Sequence, residues 1–222
     1  MQGIRKVFSA ILILGIALFV SCSTVPENVA ISSDGVQIRY DVQGEGEPAL
    51  VFVHGWCCDR SYWDAQVPHF AQKYKVVTID LAGHGESGLG REAYTMATFG
   101  QDVAAVVNKL GLDKVILIGH SMGGPVILEA ARIIPENIKG LVGVDTFSRI
   151  KPRTQEWIDN FMAPFHANFP EHTATFVRQN MFTPNSDPAL IEKIVSDMSA
   201  APAEVGSSAI EEILKHDLIP AL

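Results

Sequence analysis

The 222-residue chain is short of cysteine, of basic clusters and of long apolar runs, and each shortage excludes something. Three cysteines cannot build a disulfide framework, so the fold has to rest on its own core. Seventeen basic side chains stand against twenty-five acidic ones, a net charge of −8, and no Lys/Arg run is longer than Arg5-Lys6. Nucleic acid and anionic surfaces are thereby excluded as the main partner. The apolar run Val7–Val20 falls short of the roughly 20 residues that cross a bilayer, which excludes a polytopic membrane protein. What remains is the composition of a globular protein, 47% apolar and 19% charged, at a length that suits one or two domains.

The N-terminus reads as an address. Arg5-Lys6 followed by Val7–Val20 has the basic and apolar regions of a signal peptide, assigned to residues 1–21. Phe19-Val20-Ser21-Cys22 resembles a bacterial lipobox, in which small residues precede a cysteine that is lipidated and becomes the new N-terminus. The resemblance implies lipidation at Cys22, attachment to a membrane through acyl chains, and a place in a bacterial cell envelope, with Ser23 pointing to the outer membrane. An ordinary signal peptide with an incidental cysteine is the alternative. Residues 22–30 read as a tether.

From Val36 the pattern alternates between strand and helix. Val36–Tyr40 has a two-residue period, and Gly44–Glu47 reads as a hairpin loop. Ala49–Val53, Val76–Ile79, Val115–Ile118 and Leu141–Val144 are short apolar runs of the kind found in strands buried on both faces. Phe99, Val103, Val106, Val107 and Leu110 keep a helical period, as do Met122, Val126, Ile127, Ala130, Ala131 and Ile134. Strands alternating with such helices predict an α/β fold with a doubly wound, mostly parallel sheet, over residues 31–146. Ligands of such sheets bind beyond the carboxyl ends of the strands.

At one of those ends stands Gly119-His120-Ser121-Met122-Gly123, a G-x-S-x-G turn running from strand into helix. A turn this sharp needs small residues two before and two after the serine. It lifts the Ser121 hydroxyl into the crevice and leaves the Met122 N–H free to donate to a developing oxyanion. Val53-His54-Gly55-Trp56 and Asp80-Leu81-Ala82-Gly83-His84-Gly85-Glu86-Ser87 end two further strands. With these three motifs in this order, the chain from Val36 to Asp145 resembles the α/β-hydrolase superfamily. The resemblance implies Ser121 as nucleophile and the N–H groups of Trp56 and Met122 as the oxyanion hole.

Other motifs read as structure. Gly83–Gly88 fits G-x-G-x-x-G, but no helical period follows until Phe99, so it is a turn and not a dinucleotide site. Cys57-Cys58 has no second Cys/His cluster at ligand spacing, and small buried residues behind the oxyanion loop are expected there. No metal and no cofactor are expected. His54, His84 and His120 sit inside backbone motifs and are read as loop braces.

Residues 147–222 have four short helical patterns punctuated by prolines, and the resemblance implies a helical lid over the crevice. Pro164 should end or kink the helix carrying Trp157, Phe161 and Phe165. Asp187-Pro188 reads as a helix start, and Ser208-Ala209-Ile210-Glu211 as a capping box opening the last helix.

In the superfamily the chain order is Ser, then acid, then His, with the acid usually after the strand beyond the lid and the His after the final strand. Asp145, at a strand end where some relatives place the acid, is the one candidate acid. His166, His172 and His216 lie in lid-like helices, away from where the base should stand. The expectation is therefore an incomplete copy of a larger hydrolase, without its last core strands. It would be poorly soluble and nearly inactive as it stands, and Leu141–Val144 would be an uncovered sheet edge. The function expected of the family is hydrolysis of an ester or related acyl bond of a small apolar substrate through an acyl-Ser121 intermediate. The competing reading is a lipid-anchored protein that binds a ligand on the same fold without catalysis.

Overall fold

The structure, a computed structural model, describes residues 28–147 and 151–218. The signal, the lipobox and Cys22 lie outside the described residues. The strands are β1 (Val29–Ile31), β2 (Gln37–Gln43), β3 (Ala49–Val53), β4 (Val76–Ile79), β5 (Val115–His120) and β6 (Ile138–Val144). Helices α1 (Val67–Phe70), α2 (Met96–Lys109) and α3 (Gly123–Ile133) lie between strands; α4 (Gln155–Ala167), α5 (Phe169–Asn180), α6 (Pro188–Ser199) and α7 (Ala203–Lys215) follow β6.

The sheet order is β1-β2-β4-β3-β5-β6. Strands β4, β3, β5 and β6 are parallel, while β1 and β2 add an antiparallel edge. Two expectations are corrected here. Gly44–Glu47 is no hairpin, because β2 pairs with β4 and not with the next strand in sequence. Val29 and Ala30, read as tether, are buried in β1 and pair with β2.

Alternation along β3 shows why both of its faces are apolar. Ala49, Val51 and Val53 point into the main core with α2 and α3, while Leu50 and Phe52 pack with Trp63 and Val67 on the other face. The Phe52 and Trp63 rings lie 4.9 Å apart. Each such side chain, fully buried, contributes about 1.5–3 kcal/mol. Helix α2 starts on a reciprocal capping box between Thr95 and Thr98.

One buried ion pair ties three segments together. The Arg91 guanidinium donates to Asp102 of α2 at 2.5 Å, and both side chains are almost wholly buried. Asp102 also accepts from the Ser32 hydroxyl after β1 (2.6 Å) and the Ala82 N–H after β4 (3.1 Å).

The lid helices differ from expectation in two places. Pro164 sits inside α4, in its last turn, where one backbone bond is lost while Met162 and Phe165 stay buried. Helix α7 begins at Ala203, so Ser208 opens nothing; its hydroxyl accepts from the Tyr94 N–H and fastens the lid to the segment before α2. Asp187 does cap α6, accepting from the Ala189 N–H. Among the described residues β6 is a sheet edge, with Leu141, Val142 and Val144 exposed.

Candidate active site

Register in the parallel sheet decides what meets at its rim. Val53 lies opposite both Ile79 and Gly119, and His120 opposite Val144. The segments that follow these four strands therefore emerge side by side, bringing together Trp56, Asp80, Ser121 and Asp145.

Ser121 stands at φ +49°, a left-handed conformation that costs a non-glycine residue of order 1–3 kcal/mol. The surroundings hold it there. Its N–H donates to the Val144 carbonyl at 3.0 Å, and its carbonyl accepts from the Gly124 N–H (3.0 Å) and the Thr146 hydroxyl (2.7 Å). The two elbow glycines are required by space. A Cβ at Gly119 would overlap the Gly123 carbonyl, and one at Gly123 would come within 2.6 Å of the Val53 carbonyl oxygen. The Ser121 side chain is left exposed at the head of α3.

The N–H groups of Met122 and Trp56 have no hydrogen-bond partner among the described residues. Met122 precedes the first turn of α3, where free N–H groups and the positive dipole end favour negative charge. The Trp56 ring is clamped from the lid: its Nε1–H donates to the Gly206 carbonyl of α7 at 2.7 Å. Phe165, Phe169 and Phe176 meet it edge-on at 5.8, 6.1 and 6.3 Å.

Braces behind the rim are charged or fully buried. His54 accepts from the Leu81 N–H through Nε2 (3.0 Å), so its Nδ1–H donates to the Gly55 carbonyl (2.8 Å). His84 donates through Nδ1 to the Ala82 carbonyl. Burial lowers His54 from 6.5 to about 4 and His84 to about 3, so both are neutral parts of the frame. Asp80 is wholly buried; it accepts from the Arg60 guanidinium and from the N–H groups of Arg60 and Glu86. Burial nevertheless raises its pKa. Burial lowers His120 too, against the opposing charge of Asp145.

Two cavities open on Ser121. The larger, about 370 Å³, is walled by Trp56, Tyr62, Met181, Phe182, Ile194 and Met198, with His120, Asp145 and Asn180 at polar points. No lysine or arginine lines it among the described residues. Most of these side chains come from lid helices and loops, and no sequence spacing marks them. The smaller, about 140 Å³, contains Ser121, Asp145, Thr146 and His216. His216, expected to lie apart with the lid helices, thus lines one cavity with Ser121. Its Nε2, however, faces the Glu129 carboxylate at 3.4 Å, and Ser121 Oγ has no hydrogen bond among the described residues. Cys57 and Cys58 are free and buried behind the Trp56 loop, and burial pushes both thiols up, Cys58 to about 12. His166 and His172 have no place in either cavity.

The family described as alpha/beta hydrolase fold matches residues 48–211. A non-heme haloperoxidase of Rhodococcus erythropolis is 38% identical over 112 residues, 50% of this chain and 39% of that protein. A 3-oxoadipate enol-lactonase of Acinetobacter baylyi is 26% identical over 202 residues, 86% of this chain and 73% of the lactonase. The structure of a thermophilic esterase from Thermogutta terrifontis, malate bound, superposes with a TM-score of 0.73 at 28% identity, covering 85% of this chain and 72% of that one. The chain spans less than half the length of several curated relatives it matches.

Proposed function

The chain belongs to the alpha/beta hydrolase fold family, and from that premise we propose that it is a serine hydrolase acting on an ester or related acyl bond of a small, apolar, uncharged substrate. The observation that carries this reading is Ser121 itself: a strained serine, exposed at the head of α3, flanked by two unpaired N–H groups. Binding alone has no need of that strain, whereas nucleophilic attack does.

In the proposed reaction Ser121 Oγ bonds to the acyl carbon as its proton passes to a general base, a group that Ser121 Oγ does not meet among the described residues, where His216 faces Glu129. The carbonyl oxygen, now anionic, accepts from the Trp56 and Met122 N–H groups. The bond to the leaving group breaks, the leaving group takes up a proton, and water then releases the acyl group from Ser121. Asp145, at the end of β6 beside Ser121, is the proposed acid that orients the base. A largely apolar crevice that no lysine or arginine lines among the described residues favours neutral acyl groups, since a buried unpaired carboxylate would be costly. Serine rather than aspartate at the elbow supports acyl chemistry, a class that includes perhydrolysis and carbon–carbon bond hydrolysis.

A fluorophosphonate probe tests the reading. Rapid labelling of the full-length protein, abolished in Ser121→Ala, is the expected result; a folded protein that takes no label would overturn it. We further propose that Cys22 is acylated and holds the enzyme at the surface of a membrane in a bacterial envelope, on the support of Arg5-Lys6, Val7–Val20 and the lipobox-like Phe19–Cys22. Incorporation of labelled palmitate that is lost in Cys22→Ser is expected; equal incorporation by both would refute it.

A further inference from the structure

Cys58 stands in the wall of two cavities. One is the crevice of about 370 Å³ that holds Ser121. In the other, about 250 Å³, Cys57, Asp59, His84, Leu89 and Pro202 share the lining with Cys58. Helix α6 reaches both. Ile194 and Met198, one turn apart, line the crevice, whereas Asp197, together with Ala200 and Ala201 just past the end of the helix, lines the second cavity. Tyr62, from the crevice wall, reaches across to Asp197 with its hydroxyl 3.5 Å from the carboxylate.

The Cys58 side chain is fixed. Its thiol donates to the Trp56 carbonyl at 3.4 Å, its N–H to the Gly55 carbonyl at 3.3 Å, and it is 7% exposed. A thiol this deeply buried behaves as a small apolar group and not as a nucleophile. Its contribution is therefore its volume, placed in the lining that crevice and second cavity share.

Resting on the reading of Ser121 as the acylated nucleophile, we propose that Cys58 determines acyl-chain length: its side chain closes one end of the crevice, and a smaller residue there joins the two cavities and admits longer chains. A fully buried methylene is worth about fourfold in affinity; the second cavity also carries Asp59, His84 and Asp197, and even about half that free energy for each of the methylenes that separate octanoate from butyrate gives roughly tenfold.

The experiment compares kcat/KM for p-nitrophenyl octanoate and butyrate in the full-length protein and in Cys58→Ala, with Cys58→Leu as the opposing variant. The octanoate-to-butyrate ratio is expected to rise about tenfold in Cys58→Ala and to fall in Cys58→Leu. A ratio that moves by less than twofold in an active, folded Cys58→Ala overturns the proposal. Should that variant not fold, an unchanged ratio in Cys58→Leu does the same. If the wild-type protein neither hydrolyses butyrate nor takes a fluorophosphonate label at Ser121, the nucleophile reading itself fails and the length proposal falls with it.

Discussion

The indole Nε1–H of Trp56 donates to the carbonyl of Gly206 at 2.7 Å, across 150 residues of chain. Through this bond the loop that carries Trp56 into the crevice wall is tied to the last lid helix. Trp56→Phe keeps a ring among Phe165, Phe169 and Phe176 but leaves the Gly206 carbonyl without this donor. The loss should amount to about 1–2 kcal/mol, read as a roughly tenfold fall in kcat/KM with little change in secondary structure. Unchanged kinetics would show that the lid does not steady the loop.

Asp145 and His216 share a cavity with Ser121 and are expected to differ sharply. Asp145→Asn removes the charge proposed to orient the base and should lower kcat/KM by about 10³- to 10⁴-fold. His216→Asn should change it by less than about threefold, because its Nε2 faces Glu129 and not the serine hydroxyl. A hundredfold loss in His216→Asn would make that residue the base, and a silent Asp145→Asn would remove Asp145 from the mechanism.

Buried neutral histidines make stability depend on pH. Burial holds His54 down at about 4 and His84 at about 3, against 6.5 ordinarily, so between these limits the unfolded chain binds protons that the folded one does not. Stability is therefore fully present above pH 6.5 and falls as the pH drops toward 4, by about 1.4 kcal/mol per pH unit for each histidine. Urea midpoints at pH 7 and pH 5 should differ accordingly, and His54→Gln should flatten the difference. A profile equally steep in that variant would place the titration elsewhere.

Arg91 and Asp102 form a pair that is costly to break on one side. Arg91→Ala strands the Asp102 carboxylate in the core and should destabilise the fold by about 3–5 kcal/mol in a denaturant titration. Arg91→Met combined with Asp102→Leu should cost less than Arg91→Ala alone. Equal losses would mean that packing, and not the stranded charge, sets the penalty.

Local pattern made the elbow, five strands and the helices α2 and α3 legible in the residues alone. Gly119 and Gly123 bracket Ser121 because a turn that tight leaves no room for a Cβ, and that constraint lies within five residues. The apolar runs at Ala49–Val53 and Val76–Ile79 carry the demands of a sheet covered on both faces. Pairing and enclosure do not lie within any such window. Only the tertiary structure put β2 beside β4, turned Ser208 from a helix cap into a tie to Tyr94, and made β1 of residues that read as tether. It also brought His216 into one cavity with Ser121 and set Cys58 in the lining of two cavities. The physical reason is common to all of these. Backbone sterics and periodicity act between near neighbours and are written in spacing, whereas contacts between distant segments are selected by the packing of the whole chain.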